Sequence, residues 1–322
     1  MSETSKPTFT VIGAGMIGVL YGAQLQYAGY DVTYLFHHHA NEVAKSGIEV
    51  DFDSGNVVLP DVKVTSKHQD LTPTDVVLVS LRTSDNYLLS QLLPPALKKD
   101  SIVVMLQNGM GNEEDARRLL GSDSHDWSDV RICRGLPFVL AEQLGPGHIK
   151  HDQFGQVTFG VPGVKAPDWL TGVVDCFQRA KIPTAVTDNL QLTIWEKLAL
   201  NVPANGLPVL FHASIGEIAS DPAMTSQWLD LMKEVQKIAV ADGYDLADDF
   251  ISGMYEKSKG MPFYPSMMRH YDAKKSMELN SIYDRPLQIA KEKGISVPAT
   301  ELLSGVLEML DARNTGKVPP KS

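Results

Sequence analysis

Cysteine, positive charge and long apolar runs are all scarce in this chain of 322 residues. Cys133 and Cys176 are its only cysteines, and they lack metal-ligand spacing. No disulfide framework or zinc cluster organises such a chain, although one bridge between the two stays open; a reducing cytoplasm is the expected compartment. Lysine and arginine number 29 against 39 acidic residues, a net charge of −10. That balance excludes a broad nucleic-acid surface, which needs a basic stripe. It does not exclude an anionic ligand, because one lysine or arginine can dominate a pocket. No apolar stretch approaches the ~18 residues that span a bilayer, so no membrane is expected as a partner. The opening "MSETSKP" is polar and lacks the apolar core of a signal peptide. "HHH" at 37–39 is internal, and three consecutive histidines point different ways from a loop, which argues against a metal site there.

What is present is ordinary globular material: 43% hydrophobic and 21% charged residues, long enough for two domains. One stretch stands out, "FTVIGAGMIG" at 9–18. A bare G-x-G-x-x-G is a weak signal, and a glycine-rich turn of another α/β protein is the bland alternative. The context strengthens it. "TFTVIG" is β-branched and apolar like a strand buried on both faces, "MIGVLYGAQLQYAG" has helical spacing ending at Gly29, and "YDVTYLF" follows as a second strand. Gly13 then makes the turn, Gly15 leaves room for a pyrophosphate, and Gly18 lets helix and strand pack closely. The first helical amides, around Ala14, Met16, Ile17 and Gly18, offer N–H groups and a positive dipole end to phosphates.

Further strands are expected at 76–81, 101–107 and 182–187, with helices between several of them, a rhythm that implies a mostly parallel sheet covered by helices. "HIKHDQFGQVTFGV" reads as two short strands added antiparallel at the sheet edge. Beyond Asp188 the pattern is helical, notably at 188–202, 222–242 and 270–293, and no strand is convincing. The boundary is therefore placed between 187 and 188, giving a dinucleotide-binding domain at 1–187 and an all-helical domain at 188–322. The tail "GKVPPKS" is the one low-complexity segment.

Three segments carry side chains suited to chemistry. In "LQNGMGNEE" (106–114), Asn108 follows a buried strand, where ligands of open α/β sheets sit. An Asn-Gly turn is the competing explanation. In "IWEKLALNVPANG" (194–206), Lys197, Asn201 and Asn205 recur every four residues and form one polar stripe on a helix. A lysine among such apolar neighbours loses solvation, and its pKa falls toward the range of proton transfer. A snorkelling lysine with two surface asparagines explains the same pattern. Pro203 cannot donate to the carbonyl of Ala199 and is expected to kink this helix. In "YPSMMRHYDAKKSMELN" (264–280), Ser266, His270 and Glu278 are the candidates. Glu278 shares a helical face with His270 if the segment is continuous. Arg269, Lys274 and Lys275 read as a solvated face.

Together "GAGMIG", "QNGMG", "WEKLALN…N" and the Ser266–Glu278 pair resemble the ketopantoate reductase (2-dehydropantoate 2-reductase) family over roughly residues 8–305. The resemblance implies a Rossmann domain followed by a helical domain of the 6-phosphogluconate dehydrogenase C-terminal type. It implies reduction of a 2-oxo acid by NADPH, in the pathway to pantothenate and coenzyme A. Lys197 matches the family's general acid. Asn108, Asn201, Asn205, Ser266 and Glu278 match its substrate-binding residues, with Ser266 on the carboxylate and Glu278 on a substrate hydroxyl; Glu278 counts with Lys197 as a catalytic candidate, and Asn108 also as a cofactor-binding one, over the nicotinamide. The expected partners are this small molecule and, in a homodimer, a second copy of the chain.

Several positions depart from the family pattern. His37 stands where an arginine often meets the 2′-phosphate of NADP, and Arg82 replaces a lysine with the same charge. Ile215 replaces a further asparagine, His270 an aspartate, and Asp284 a glycine. With "YLFHHH" ending the second strand and no acid there for a ribose hydroxyl, NADPH is the expected cofactor, with His37 and Arg82 facing its phosphate. Other readings stay open: a reductase of another 2-oxo acid such as a D-2-hydroxyacid dehydrogenase, a 6-phosphogluconate-type 3-hydroxyacid dehydrogenase, or a dinucleotide-binding sensor without turnover.

Overall fold

The structure, a computed structural model, describes residues 6–121 and 126–316. Most of the polar N-terminal run and of the "GKVPPKS" tail lies outside the described residues. The chain divides into two compact units. One holds the chain up to Asn108 together with Asn112–Leu190, and the other holds Gly109–Gly111 and the chain from Gln191 onward.

The first unit begins β1 (Thr8–Ile12), α1 (Met16–Tyr27), β2 (Asp31–Leu35), α2 (Ala40–Ser46), β3 (Ile48–Asp51), β4 (Val57–Leu59) and β5 (Lys63–Thr65). It continues β6 (Thr74–Val79), α3 (Leu89–Leu92), β7 (Leu97–Met105), α4 (Asn112–Leu120), β8 (Arg131–Gly145), β9 (His148–Gly160), α5 (Asp168–Arg179) and β10 (Thr184–Val186). The strands form one sheet in the order β4-β3-β9-β8-β7-β6-β1-β2-β5, with β10 beside β9. From β5 through β2, β1, β6 and β7 to β8, neighbours run parallel. Setting the β3–β4 hairpin aside, this is the 3-2-1-4-5-6 order of dinucleotide-binding folds.

Alternation along the strands builds two cores, one on each face. Phe9, Val11, Val76, Leu78 and Val104 join one cluster, while Ile12, Val77, Val79, Val103 and Met105 join the other. Strands buried on both sides read as unbroken apolar runs, which is why these were visible in the sequence. The antiparallel addition differs from expectation. "HIKHDQFGQVTFGV" is a single strand, β9, paired antiparallel with β8 through several register shifts. It is not at the edge, because β3 pairs with it in parallel and β4 lies beyond. Its bulges, with Phe154 at φ 65, interrupt the regular alternation that would have marked one long strand.

The second unit is helical among the described residues: α6 (Leu190–Phe211), α7 (Ile215–Ser220), α8 (Thr225–Ala241), α9 (Asp248–Lys259), α10 (Ser266–Asp272), α11 (Arg285–Lys293) and α12 (Pro298–Asn314). A π-helical turn at Asn280–Asp284 leads into α11. Helix α6 runs through both Pro203 and Pro208, so the expected kink does not divide it. The 270–293 stretch is not one helix. α10 stops at Asp272, and Lys274 takes a left-handed conformation with φ 53. The Lys274 amide donates to the Tyr271 carbonyl and the Lys275 amide to that of His270, the crossed pair of a Schellman stop. Glycine usually marks that stop, and its absence hid this one.

Candidate active site

The glycine loop separates into three different requirements. Gly13 has φ 87, and a Cβ there would lie 2.7 Å from the Leu81 backbone nitrogen. A Cβ on Gly18 would meet Ser80 Oγ at 2.4 Å and Val11 at 2.7 Å, the close helix–strand contact expected of it. Gly15 is the opposite case: its Cβ would meet nothing within 4 Å, and φ is −93. The fold itself therefore does not require glycine at 15. The open space lies at the N-terminus of α1, which has no side-chain cap and no acid in its first turn. These features fit a dinucleotide pyrophosphate, whose charge the uncapped amides and the helix dipole would hold.

The neighbouring strand ends are locked to this loop. Ser80 Oγ donates to the Gly13 carbonyl at 2.7 Å, and the Ser80 amide donates to Ile12. Arg82 follows, half-buried, with Nη2 3.0 Å from Asp85 Oδ2. His37 lies beyond the end of β2, exposed, its ring 4.0 Å from that of His38. Asp31, at the start of β2, pairs with Lys63 at 2.6 Å, away from the strand ends that carry the loop.

Asn108 follows β7 with its backbone held from both sides. Arg134 Nη1 donates to the Gln107 carbonyl at 3.0 Å, and Asn112 Nδ2 donates to the Asn108 carbonyl at 2.9 Å. Arg134 is fully buried and its guanidinium also grips Glu113, with Nη2 3.0 Å from Oε2. The Gln107 amide donates to the Leu81 carbonyl at 2.9 Å and to Asn86 Oδ1 at 2.6 Å. This network was not read from the sequence, where the only sign of it is an arginine inside the apolar run "RICRGLPF".

The loop after Asn108 clusters with the second unit, and Gly109 and Gly111 have φ 78 and 77. A Cβ on Gly109 would fall 2.4 Å from the Ser281 Cβ, and one on Gly111 would overlap the Arg285 guanidinium. The Met110 amide donates to the Ser281 carbonyl, and Arg285 Nη1 donates to the Met110 carbonyl. The turn explanation and the site explanation for "NGMG" are thus compatible.

On α6, Lys197 and Asn201 are half-buried and Asn205 is buried. Asn205 Nδ2 donates to the Asn201 carbonyl at 2.9 Å. Ile194, Trp195 and Leu198 around Lys197 are at most 3% exposed. Burial pushes the adjacent Glu196 carboxyl up. Glu278 does not share a helix face with His270; it is buried in the irregular segment between α10 and the π turn. That segment is pinned to α12 by the Met277 amide, 2.7 Å from Asp311 Oδ1. Ser266 opens α10, half-buried. Ile215 is a buried first-turn residue of α7, behind the Ser214–Glu217 capping box. Burial raises the Asp284 carboxyl against a hydrogen bond from Asn280 that lowers it.

Of the described residues, Glu49, Asp51 and His148 have ligand atoms within 4.8 Å of one another, but His148 pairs with Asp51 and Asn56 bridges both acids. The histidines at 37–39 are not among them.

Both units match the models of one family, "Ketopantoate reductase PanE/ApbA" at residues 9–163 and "Ketopantoate reductase PanE/ApbA C terminal" at 189–311. The chain belongs to the ketopantoate reductase family. It is 34% identical over 317 residues to a 2-dehydropantoate 2-reductase of Nostoc sp., covering 96% of this chain and 97% of the relative. A crystal structure of 2-dehydropantoate 2-reductase from Geobacter metallireducens aligns with a TM-score of 0.88 at 30% identity, covering 94% of this chain and 99% of that one. D-mandelate dehydrogenase, solved with NADH and anilino(oxo)acetate, shares the fold at a TM-score of 0.84 and 18% identity, covering 95% and 99%. The protein is an oxidoreductase of the ketopantoate reductase family. None of its described helices is long and apolar enough to cross a membrane.

Proposed function

We propose that the protein reduces 2-dehydropantoate to pantoate with NADPH, in the supply of pantothenate and coenzyme A. In this reading residues 1–187 hold the dinucleotide and 188–322 hold the substrate. The observation that carries it is the polar stripe of Lys197, Asn201 and Asn205 on a helix otherwise packed in apolar core. An ammonium and two amides in one line on such a helix offer the proton and the hydrogen-bonding groups that reduction of a 2-oxo acid calls for.

A dinucleotide held by the Gly13–Gly18 loop would supply the hydride that the ketone carbon takes up. As that carbon gains the hydride, the carbon–oxygen π bond opens and negative charge builds on oxygen. The Lys197 ammonium stabilises that charge and gives the oxygen its proton, completing the alcohol. Asn108, Asn201 and Asn205 orient the 2-oxo acid, Ser266 donates to its carboxylate, and Glu278 accepts from its hydroxyl. The amides of Ala14 to Gly18 hold the pyrophosphate, while Arg82 and His37 face the 2′-phosphate. A second copy of the chain completes a homodimer in the cytoplasm.

A second reading, reduction of a different 2-oxo acid, is favoured by Ile215, His270 and Asp284 at positions that are polar or small in the family pattern. Dinucleotide oxidation measured across a panel of 2-oxo acids separates the two. Ketopantoate as the most efficient substrate supports the proposal. A better substrate without the hydroxyl transfers it to the second reading, and dinucleotide binding with no turnover on any acid contradicts both.

A further inference from the structure

We propose that Arg134 is a positioning residue, whose buried guanidinium holds the Gln107 carbonyl and so sets the backbone of Asn108 toward the 2-oxo acid. The proposal rests on Asn108 being a substrate-binding residue, as argued above. Arg134 has no exposed surface, and its partner Glu113 is nearly as enclosed. A buried ion pair is a poor device for stability, since apolar residues of similar volume often do as well or better. Its retention at this place calls for a geometric reason, and the contacts supply one.

The guanidinium is a planar fork with fixed directions. One edge is occupied by Glu113, through Nε and Nη2. That leaves Nη1 aimed at the Gln107 carbonyl, 3.0 Å away. Arg134 is in register with Met105, at the carboxyl end of β7, so it reaches the first residues beyond the strand. The Gln107 side chain is fixed on Leu81 and Asn86, and the Asn108 carbonyl accepts from Asn112. The carbonyls on both sides of the Asn108 Cα are therefore oriented by side chains. Glu113 and Asn112 both come from the first turn of α4, which lets one helix start anchor both carbonyls. Loss of Arg134 would free only the Gln107 side of this clamp and leave the glycine loop at Gly13–Gly18 intact.

The test compares wild type, Arg134→Met, and the double variant Arg134→Met/Glu113→Leu. Each is measured by thermal melting, by NADPH affinity from its fluorescence, and by kcat and KM for the 2-oxo acid the wild type uses best. The single variant leaves Glu113 buried without its partner and is expected to melt lower. The double variant restores melting to within about 3 °C of wild type and binds NADPH within about threefold, because an apolar pair replaces the ion pair without touching the phosphate loop. It still loses at least roughly tenfold in kcat/KM for the 2-oxo acid, with KM raised, since one charge-assisted hydrogen bond no longer sets Asn108. A double variant with wild-type kcat and KM overturns the proposal. So does activity that falls only in step with melting across both variants, because the pair is then an element of the fold alone. A wild type that reduces no 2-oxo acid overturns the proposed function and this role together, and is seen before any variant is made.

Discussion

The Tyr283 hydroxyl donates a hydrogen bond of 2.8 Å to the carbonyl of Val202, joining the π turn to the middle of α6. Gly206 makes this approach feasible, since a Cβ there would come within 2.5 Å of the same hydroxyl. Tyr283 is fully buried, and burial drives its pKa upward, so the phenol remains a donor throughout the working pH range. Five residues before Tyr283 stands Glu278, and Val202 immediately follows Asn201. The contact fixes the acid-bearing segment against the lysine-bearing helix within one unit, a relation the sequence pattern did not supply.

Lys197→Ala is expected to remove most turnover while dinucleotide affinity stays nearly unchanged. General acid catalysis is worth ~10² to 10⁴ in rate, and the glycine loop proposed to hold the phosphates lies in a different unit. Stopped-flow or steady-state kcat alongside NADPH binding checks this. A folded mutant with near-wild-type kcat would make Lys197 a snorkelling surface lysine.

Gly15→Ala and Gly18→Ala should fail in different ways. At position 15 there is room for a methyl group, so melting should be unchanged while NADPH affinity drops by tenfold or more, an estimate of ~1.4 kcal/mol or above from one displaced phosphate contact. At position 18 the methyl would collide with Ser80 and Val11, so melting itself should fall. Paired melting and fluorescence titration separate the two.

Arg82→Ala should lower kcat/KM with NADPH by about tenfold and leave NADH nearly unaffected, as expected for loss of one charged contact to a 2′-phosphate. The side chain is already oriented by Asp85 at 3.0 Å. Kinetics with both dinucleotides test this, and equal wild-type efficiency with NADH would contradict the assignment of Arg82 and His37.

Asp75 gives a pH signature of the fold rather than of the site. Burial raises its carboxyl, but hydrogen bonds from Lys98 and Thr8 and the Lys98 charge outweigh burial and hold it below the usual range. A lowered carboxylate stabilises the folded chain above its unfolded pKa, and that stabilisation is lost as pH falls through the folded value. Asp75→Asn should therefore cost about 1 kcal/mol at pH 7, small because the pair is partly exposed, and the deficit should close as pH falls through the lowered carboxyl pKa. Urea melts of both proteins at several pH values measure the difference.

The glycine loop, the doubly buried strands and the α6 stripe were legible because each is a short-range pattern with its own period. The Schellman stop at Lys274 was not, since it uses a lysine where glycine is usual. β9 reads as two strands in the sequence because its bulges break the alternation of one face. The Arg134–Glu113–Gln107 network joins residues far apart in sequence, so only tertiary structure brings it into view. The spacing of Glu278 and His270 suits one helix face only in a continuous helix, and α10 stops at Asp272.

The most direct measurement is wild-type kcat/KM with NADPH for ketopantoate against 2-oxoisovalerate, an acid of similar bulk that lacks the hydroxyl. Glu278 is buried, and in the proposed site a substrate without a hydroxyl forgoes the hydrogen bond that this carboxylate would accept. The account predicts a preference for ketopantoate of at least roughly tenfold, the scale of one modest hydrogen bond, and a narrower gap in Glu278→Gln. A wild type that prefers 2-oxoisovalerate, or treats the two alike, would contradict it.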